Sequence, residues 1–266
     1  MGQREFEQYY RDIFGARWDR LRAALTERVA HVAYRSGLLQ PYHLDAASLA
    51  IARLLPLTGA RDLLDLCAAP GGKSLVLAAR METDARLVAN DRSSGRRARL
   101  LRVLADHLPE AIRDRVAVTG HDATKWGLHQ AESMDAVLAD VPCSSEAHVL
   151  GSPKDLAQWS ASRVKRLAAQ QHAIVAAAID SLRPGGYLLY STCALNDAEN
   201  DRVVAWALGR RAGQVELCTI DTAAIEIEEH PITAEQSSYG VRILPDRSAG
   251  AGPMYAALLR KCTDAA

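Results

Sequence analysis

Residues 64–73 read Leu64-Asp65-Leu66-Cys67-Ala68-Ala69-Pro70-Gly71-Gly72-Lys73. The apolar start predicts a buried strand, and the small residues that follow predict a tight turn into a helix. Such a turn lets a ligand approach the backbone closely, and the first turn of the helix offers free N–H groups. Two nucleotide-binding motifs are excluded, because neither GxGxxG nor GxxxxGK is present. We therefore expect a ligand to bind at this turn.

Short apolar runs alternate with amphipathic stretches on the carboxyl-terminal side of the turn. The apolar runs cover residues 63–66, 87–89, 116–118, 136–139, 187–190, 215–219 and 254–259. Stretches with helical periodicity cover residues 73–82, 94–107, 163–183 and 197–210. This alternation predicts an α/β fold, in which helices cover both faces of a parallel sheet. Ligands bind such sheets at the carboxyl ends of the strands.

Two segments fall outside this alternation. Aromatic and aliphatic residues such as Phe6, Tyr10 and Trp18 recur at helical spacing near the start of the chain, which predicts packed helices. Residues 220–252 are polar and contain several glycines, so we expect a long loop or insertion there. We therefore divide the chain into a small helical N-terminal extension, residues 1–58, and an α/β domain, residues 59–266.

The composition excludes several classes of protein. Of the 266 residues, 48% are hydrophobic and 24% are charged, which is typical of globular proteins. The 32 basic and 32 acidic residues cancel, so no overall positive field indicates a nucleic-acid partner. Five arginines without an acid between Arg92 and Arg102 form a local basic run, a pattern that is more often a solvated helix face. We find neither a membrane span nor a signal peptide and expect a cytoplasmic protein.

Acidic residues occur at the ends of three successive predicted strands. Asp65 belongs to the first strand, Asp91 follows the second, and Asp122 follows the third. An acid at the end of the second strand is placed to hydrogen-bond a ribose diol, and Asp122 to reach an adenine edge. A lone acid at position 91 would more often cap a helix, but beside the glycine turn the two interpretations are equally supported. Together, the three acids would line a groove large enough to hold a nucleoside.

Two cysteines follow neighbouring strands at the same predicted edge. Cys143 ends the run Asp140-Val-Pro-Cys143, and Cys193 ends the run Ser191-Thr-Cys193. The five cysteines of the chain contain no CxxC pair, which argues against a disulfide framework and a structural zinc site, and we expect no metal. A buried cysteine is usually an inert small hydrophobe, whereas one beside polar residues and a carboxylate is a candidate nucleophile.

In these motifs the chain resembles the RNA cytosine-C5 methyltransferases of the Sun/NOL1/NOP2 group. The resemblance covers Asp65 to Lys73, Asp91 with Arg96, Asp122, Asp140 to Cys143, and Ser191 to Cys193, in the same order and at the same spacing. Residues 141–148, Val-Pro-Cys-Ser-Ser-Glu-Ala-His, are nearest to the single-domain mitochondrial-type branch and depart from the commoner Pro-Cys-Ser-Gly. The resemblance implies a Rossmann-like S-adenosylmethionine-dependent methyltransferase fold.

The resemblance also implies roles for individual residues. Cys193 would be the nucleophile, Cys143 its accessory, and Asp140 a third catalytic residue. S-adenosylmethionine would be held by Cys67, Ala68, Ala69, Pro70, Gly71, Gly72, Lys73, Asp91, Arg96, Asp122 and Asp140. The chemistry of cytosine also requires a nucleophilic thiol, because C5 accepts a methyl group readily only after a thiolate has added at C6.

Several alternatives stay open at this point. A DNA cytosine-C5 methyltransferase would use Cys143 as the nucleophile, and a small-molecule methyltransferase would leave the paired cysteines without a role. A non-catalytic methyltransferase-like scaffold that binds RNA is a further class. Ribosomal RNA is favoured over transfer RNA as the substrate. We expect a monomer, and a protein partner that supplies RNA affinity is an open alternative.

Overall fold

The computed structural model of the chain describes residues 2–27, 29–228 and 230–263. The strands in these ranges are β1 (His31–Tyr34), β2 (Tyr42–Asp45), β3 (Asp62–Asp65), β4 (Arg86–Asn90), β5 (Val116–Thr119), β6 (Met134–Asp140), β7 (Leu182–Thr192), β8 (Val215–Cys218), β9 (Ala234–Gln236), β10 (Val241–Ile243) and β11 (Met254–Lys261). The helices are α1 (Gly2–Phe14), α2 (Trp18–Thr26), α3 (Ala46–Arg53), α4 (Gly72–Arg80), α5 (Ser94–His107), α6 (Glu110–Arg113), α7 (Trp126–His129), α8 (Glu146–Gly151), α9 (Pro153–Ala157), α10 (Ala161–Ser181) and α11 (Asp201–Arg210). Short 3₁₀ turns lie at Gly15–Arg17, Ala123–Lys125 and Thr222–Ala224.

The central sheet has the strand order β5-β4-β3-β6-β7-β11-β10-β9, and β8 also pairs with β11. The strands from β5 to β7 are parallel, whereas β11 is antiparallel to β7, β8 and β10. Successive residues of a strand alternate between the faces, so Leu63 packs into one hydrophobic core and Leu64 into the other. The predicted α/β class is therefore confirmed, but the sheet is not parallel throughout as predicted, because the strands beyond β7 are antiparallel.

The strand order reverses direction between β3 and β6. From β3 the chain proceeds outward to β4 and β5, and then returns to β6 on the other side of β3. Crevices form at the carboxyl ends of the strands where the order reverses in this way. Asp65 ends β3 and Asp140 ends β6, so both acids lie at this switch point.

The N-terminal segment is helical at its start, as predicted, but it also contains a β-hairpin that the prediction missed. α1 and α2 pack through Phe6 and Trp18 against α8 and α9, in a third hydrophobic cluster. Strands β1 and β2 then pair antiparallel, with Val32 and Tyr34 buried on one side. Only two buried positions mark the alternation in β1, which is too short a pattern to separate a strand from a helix. The domain boundary at residue 58 stays a prediction.

Residues 220–252 differ from the loop that the sequence predicted. Within them, β9 and β10 extend the sheet, and isolated apolar residues such as Ile225 and Ile227 enter the core. The same segment contacts the N-terminal part of the chain, because Ala30 N donates to Gly250 O at 3.3 Å. Strands of three residues leave almost no periodic signal, and for this reason the composition alone indicated a loop. Glu229 lies outside the described residues.

Three predicted helices differ from the observed ones at an end. The helices expected over residues 73–82 and 163–183 end two residues earlier, at Arg80 and Ser181, and the one expected over residues 197–210 begins only at Asp201. Before Asp201, the Thr192 hydroxyl donates to Asn200 Oδ1 at 2.6 Å, and Asn200 Nδ2 donates to Ala194 O at 2.9 Å. These side-chain bonds hold the turn that carries Cys193. No described helix is long and apolar enough to cross a bilayer.

Candidate active site

The turn between β3 and α4 is held close to the sheet. Ala68 N donates to Asn90 O at 2.8 Å, which joins the turn to the end of β4. Gly71 has a φ of 119°, and a Cβ there would lie 3.0 Å from side-chain atoms of Leu100 and Val103 on α5. Both the backbone conformation and the neighbouring helix therefore require glycine at position 71.

A first cavity, with a volume of about 220 Å³, opens beside this turn at the ends of β4 and β5. Cys67, Asp91, Arg96 and Asp122 line it, four of the predicted cofactor residues. Asp91 is buried, and its Oδ1 accepts a hydrogen bond from Ser93 N at 2.9 Å. Asp91 Oδ2 has no hydrogen-bond donor among the described residues, although Arg96 Nη1 lies 3.3 Å away. One buried carboxylate oxygen is thus available for a ligand.

A second cavity, of about 270 Å³, lies on the other side of Cys67, toward the hairpin. It is lined by Asp65, Ala68, Ala69, Pro70, Gly72, Lys73 and Asp140 from the predicted set, together with Tyr42, His43, Ser48 and Arg99, which the prediction did not include. The hairpin and α3 supply three of these additional residues. Since the sequence prediction placed helices here, it contained no signal that would bring Tyr42 or His43 to the site.

Asp65 is buried at the border of these cavities. Ser74 Oγ donates to Asp65 Oδ2 at 2.7 Å, and Asp65 Oδ1 has no partner among the described residues. Burial raises the pKa of Asp65 to about 7, and the nearby Asp140 carboxylate adds to this effect. Burial likewise raises the pKa of the Cys67 thiol, which therefore remains protonated at neutral pH.

Lys73 and Asp140 form an ion pair in the second cavity. Lys73 Nζ donates to Asp140 Oδ2 at 2.9 Å, and Ser191 Oγ donates to Asp140 Oδ1 at 2.9 Å. Burial on its own would lower the pKa of the Lys73 ammonium, but Asp140, Asp45 and the Cys193 sulfur outweigh it and raise the pKa. The ammonium consequently keeps its charge beside the two cysteines.

Cys143 and Cys193 meet at the ends of the neighbouring strands β6 and β7. Their Sγ atoms are 2.6 Å apart, and both side chains are half-buried. The hydrogen bond to Cys193 and burial raise the pKa of Cys143 well above its ordinary value. The Cys143 thiol therefore retains its proton at neutral pH. The two thiols lie together, as the sequence predicted, and Cys193 is near the Lys73–Asp140 pair.

Two buried glutamates, Glu146 and Glu199, connect the loop that carries Cys143 to the loop that carries Cys193 through hydrogen bonds. Ser144 N donates to Glu199 Oε2 at 2.9 Å, and Leu195 N donates to Glu146 Oε2 at 3.1 Å. The Tyr10 hydroxyl, from α1, also donates to Glu146. Burial and the Glu199 charge raise the pKa of Glu146. Buried acids are rare, so sequence reasoning gave these two no structural role.

Ten of the thirteen predicted residues therefore line two cavities, which share Cys67. Cys143, Cys193 and Gly71 line neither of them, and Gly71 is the N-cap of α4. Asp122 has a local role as well, because its Oδ1 accepts from Thr124 N at 3.1 Å and caps the 3₁₀ turn. Among the described residues, no group of three or more His, Cys, Asp or Glu side chains could hold a metal ion.

Comparisons with known proteins agree with this arrangement. The 5-cytosine rRNA methyltransferase NSUN4 of Bos taurus is 35% identical over 237 residues, which are 82% of this chain and 59% of that protein. The mitochondrial tRNA (cytosine(34)-C(5))-methyltransferase of Danio rerio is 34% identical over 239 residues, or 88% of this chain and 64% of that protein. The crystal structure of NSun6 from Pyrococcus horikoshii with SFG superposes with a TM-score of 0.64 at 26% identity, covering 86% of this chain and 55% of that one.

The shared region is only part of each of those proteins. This chain spans between 55% and 64% of their lengths, while its own residues are matched nearly throughout. The model of the family described as 16S rRNA methyltransferase RsmB/F matches residues 52–260, which include the first cavity and both cysteines, whereas Tyr42, His43 and Ser48 of the second cavity lie before this range. The chain therefore belongs to the RsmB/F methyltransferase family.

Proposed function

We propose that the chain is an S-adenosylmethionine-dependent RNA (cytosine-5)-methyltransferase that acts through a covalent bond between Cys193 and C6 of the target cytosine. One observation carries this proposal. The thiols of Cys143 and Cys193 lie 2.6 Å apart, and the Cys193 sulfur is close enough to the ammonium of the Lys73–Asp140 ion pair to raise its pKa. A methyltransferase that modified a more nucleophilic atom would need no thiol. A non-catalytic scaffold would need neither the two cysteines nor the ion pair.

The first cavity fits the adenosyl part of S-adenosylmethionine. Asp91 Oδ2 is buried without a hydrogen-bond donor, and a ribose hydroxyl is a neutral donor that would satisfy it. Asp65 Oδ1 is a second unpartnered oxygen, at the border where the positively charged end of the cofactor would lie. The relative from Pyrococcus horikoshii was solved with SFG, an analogue of this cofactor, which supports the assignment. When bound, S-adenosylmethionine supplies an electrophilic methyl group.

The second cavity suits the cytosine. Lys73 and Asp140 present a donor and an acceptor for the polar edge of the base, and the cysteines lie beside them. The Cys193 thiolate forms a bond to C6, and the electron pair of the C5=C6 bond becomes available at C5. After C5 has gained the methyl group, its proton passes to water, the electron pair of the C5–H bond re-forms the C5=C6 double bond, and the Sγ–C6 bond breaks with its electron pair returning to sulfur. Cys143 assists this release.

Ribosomal RNA is the substrate class that we propose. The matching family model describes 16S rRNA methyltransferases, and the relative from Bos taurus is named for rRNA. Transfer RNA is the second candidate, because the relative from Danio rerio, at 34% identity, is named for tRNA. In either RNA the target must be unstacked, since C5 and C6 of a stacked base are not accessible to a thiol.

Bisulfite sequencing of RNA tests the function and the substrate together. RNA is compared between cells that express the protein, cells without the gene, and cells in which the gene is restored as Cys193→Ala or Cys218→Ala. A 5-methylcytosine resists conversion by bisulfite, so without the gene we expect one or a few ribosomal cytosines to become convertible. The Cys218→Ala gene should make these cytosines resistant again, and the Cys193→Ala gene should not. Loss confined to tRNA would select the second candidate, and unchanged profiles in both RNAs would contradict the proposed function.

A further inference from the structure

Ser145 lies next to the two thiols in a conformation that serine rarely adopts. Its φ of 53° and ψ of 61° fall in the left-handed region, which glycine adopts freely. It is also the N-cap of α8, yet its side chain accepts no hydrogen bond from that helix. By contrast, Ser152 at the N-cap of α9 accepts one from Asp155 N at 3.3 Å. Neither backbone conformation nor capping accounts for a serine at position 145.

The residues on either side of Ser145 fix its position. Ser144 N is bonded to Glu199, and the Ser144 hydroxyl donates to Glu146. The Glu146 side chain itself is buried and accepts from Leu195 N, two residues after Cys193. Both neighbours are therefore attached to the buried network that joins the two cysteine loops. Backbone strain of this kind persists where the surroundings over-determine it, and it clusters at functional sites.

The Ser145 hydroxyl contacts sulfur. Its Oγ lies 3.2 Å from Cys193 Sγ, 3.4 Å from Cys143 Sγ and 3.4 Å from the Cys143 carbonyl oxygen. The contact with Cys193 is the shortest of the three. Among these contacts the hydroxyl has one oxygen acceptor, the Cys143 carbonyl, and it lies farther away than the Cys193 sulfur, so the proton can turn to that sulfur when it becomes anionic.

We propose that Ser145 is a further catalytic residue, whose hydroxyl donates a hydrogen bond to the Cys193 sulfur while that sulfur is a thiolate. The inference rests on the proposed function in one respect, namely that Cys193 is the nucleophile. The hydroxyl keeps its proton throughout. It stabilises the anion before the Sγ–C6 bond forms, and again when that bond breaks and the electron pair returns to sulfur.

The state of Cys143 supports this assignment. Its hydrogen bond to Cys193 and its burial raise its pKa, so Cys143 remains a thiol and donates toward the same sulfur. Cys143 and Ser145 then form a pair of donors on one anion, with the Lys73 ammonium as the nearby positive charge. The proposal therefore explains why a strained serine, and not glycine, follows Ser144.

Alkylation of Cys193 tests the proposal without RNA or cofactor. The full-length protein and the variants Ser145→Ala and Ser145→Gly react with iodoacetamide over a range of pH, and peptide mass spectrometry separates Cys193 from Cys143. In both variants we expect the pH midpoint of Cys193 alkylation to rise by about one unit, because a charge-assisted hydrogen bond is lost. Ser152→Ala removes a hydroxyl from the next N-cap and should leave the midpoint unchanged.

The two substitutions separate the hydroxyl from the backbone. Glycine relieves the left-handed strain and alanine keeps it, so a midpoint that moves in only one variant would overturn the proposal, as would no movement in either. In RNA methylation, both variants should lower kcat about tenfold at neutral pH and recover part of it at higher pH. A shifted alkylation midpoint in a protein that methylates no RNA would refute the proposed function and leave the role of the hydroxyl intact.

Discussion

At the scale of single residues, two buried carboxylate oxygens mark the side of the site that we propose for the cofactor. Asp65 Oδ1 and Asp91 Oδ2 are without hydrogen-bond donors in the described part of the chain. A buried acceptor without a donor costs free energy, and a bound ligand that supplies the donor recovers it. The strand-end positions of both acids were predictable from sequence, because an acid after an apolar run is visible there. That these oxygens lack a hydrogen-bond donor could not be predicted, because it depends on neighbours that are distant in the sequence.

The first prediction concerns Asp91 and the ribose. Asp91→Ala should weaken S-adenosylmethionine binding by roughly 1.5–3 kcal/mol, because a charge-assisted hydrogen bond to the ribose is lost. Isothermal titration calorimetry measures this directly. Asp84→Ala is the control, since Asp84 is exposed and its one ion pair within the described residues is with the exposed Arg61. Equal affinities for the Asp91 variant and the unmodified protein would refute the ribose assignment.

The second prediction concerns the pH dependence of stability. The pKa of Asp65, about 7 in the folded protein, lies above its ordinary value of 3.8. Between these values the folded state binds one more proton than the unfolded state, so the free energy of unfolding falls as pH rises through this window. Asp65→Asn carries no charge and should be more stable at pH 8, by at most about 4 kcal/mol.

Urea unfolding at pH 5 and pH 8 measures this difference. The substitution retains an oxygen that accepts from Ser74, so the comparison isolates the buried charge. Asp84→Asn, at the surface, should leave the pH dependence unchanged. If the Asp65→Asn protein and the unmodified protein lose the same stability between pH 5 and pH 8, burial of Asp65 is not the cause.

At the scale of secondary structure, the sequence predicted the strands that alternate with helices along the chain, and it missed the short strands that lie outside this alternation. Central strands such as β6, in which five of seven residues are buried, form continuous apolar runs that indicate a parallel sheet. The hairpin strand β1 has four residues and β10 has three, with two buried positions each. A period of two cannot be read from two positions. The hairpin was therefore missed, together with the side of the second cavity that it forms.

The third prediction concerns the turn at the start of α4. Gly71→Ala should destabilise the protein by about 1–3 kcal/mol, because its φ of 119° strains alanine and the new Cβ meets Leu100 and Val103 at 3.0 Å. Gly95→Ala in α5 is the matched control. Its Cβ would meet nothing within 4 Å, so it should raise stability by about 0.5–1 kcal/mol. Urea unfolding of the two variants should give opposite signs, and equal signs would contradict the assigned role of Gly71.

At the scale of the whole molecule, the site is assembled from parts that are distant in the chain. Tyr10 of α1 donates to Glu146, which joins the Cys143 loop to the Cys193 loop. The meeting of the two cysteines could be predicted, because parallel strands end at one edge of the sheet. The Tyr10–Glu146 contact could not, since nothing in either local sequence specifies a partner 136 residues away.

The fourth prediction concerns RNA docking. The net charge is zero, so phosphate contacts must come from local cations, and Arg99 and Arg102 are in no ion pair within the described residues. RNA affinity should fall steeply with salt, and Arg99→Ala should reduce the slope of log K against log salt by about 1. Arg61→Ala is the control. Arg61 precedes β3, at the amino end of that strand and opposite the proposed site, so its removal should not change the slope. Fluorescence titration at several salt concentrations measures this, and equal slopes for all three proteins would place the RNA elsewhere.

The fifth prediction addresses the division of labour between the two cysteines, on which the proposed function depends most directly. The unmodified protein, Cys193→Ala and Cys143→Ala are incubated with S-adenosylmethionine and substrate RNA, and covalent adducts are resolved on a denaturing gel. Cys193→Ala should form no adduct and no 5-methylcytosine, because no thiolate adds to C6. Cys143→Ala should accumulate an adduct, because it keeps the nucleophile and loses the group that assists release. An adduct retained in Cys193→Ala and lost in Cys143→Ala, or methylation that survives both substitutions, would contradict the account.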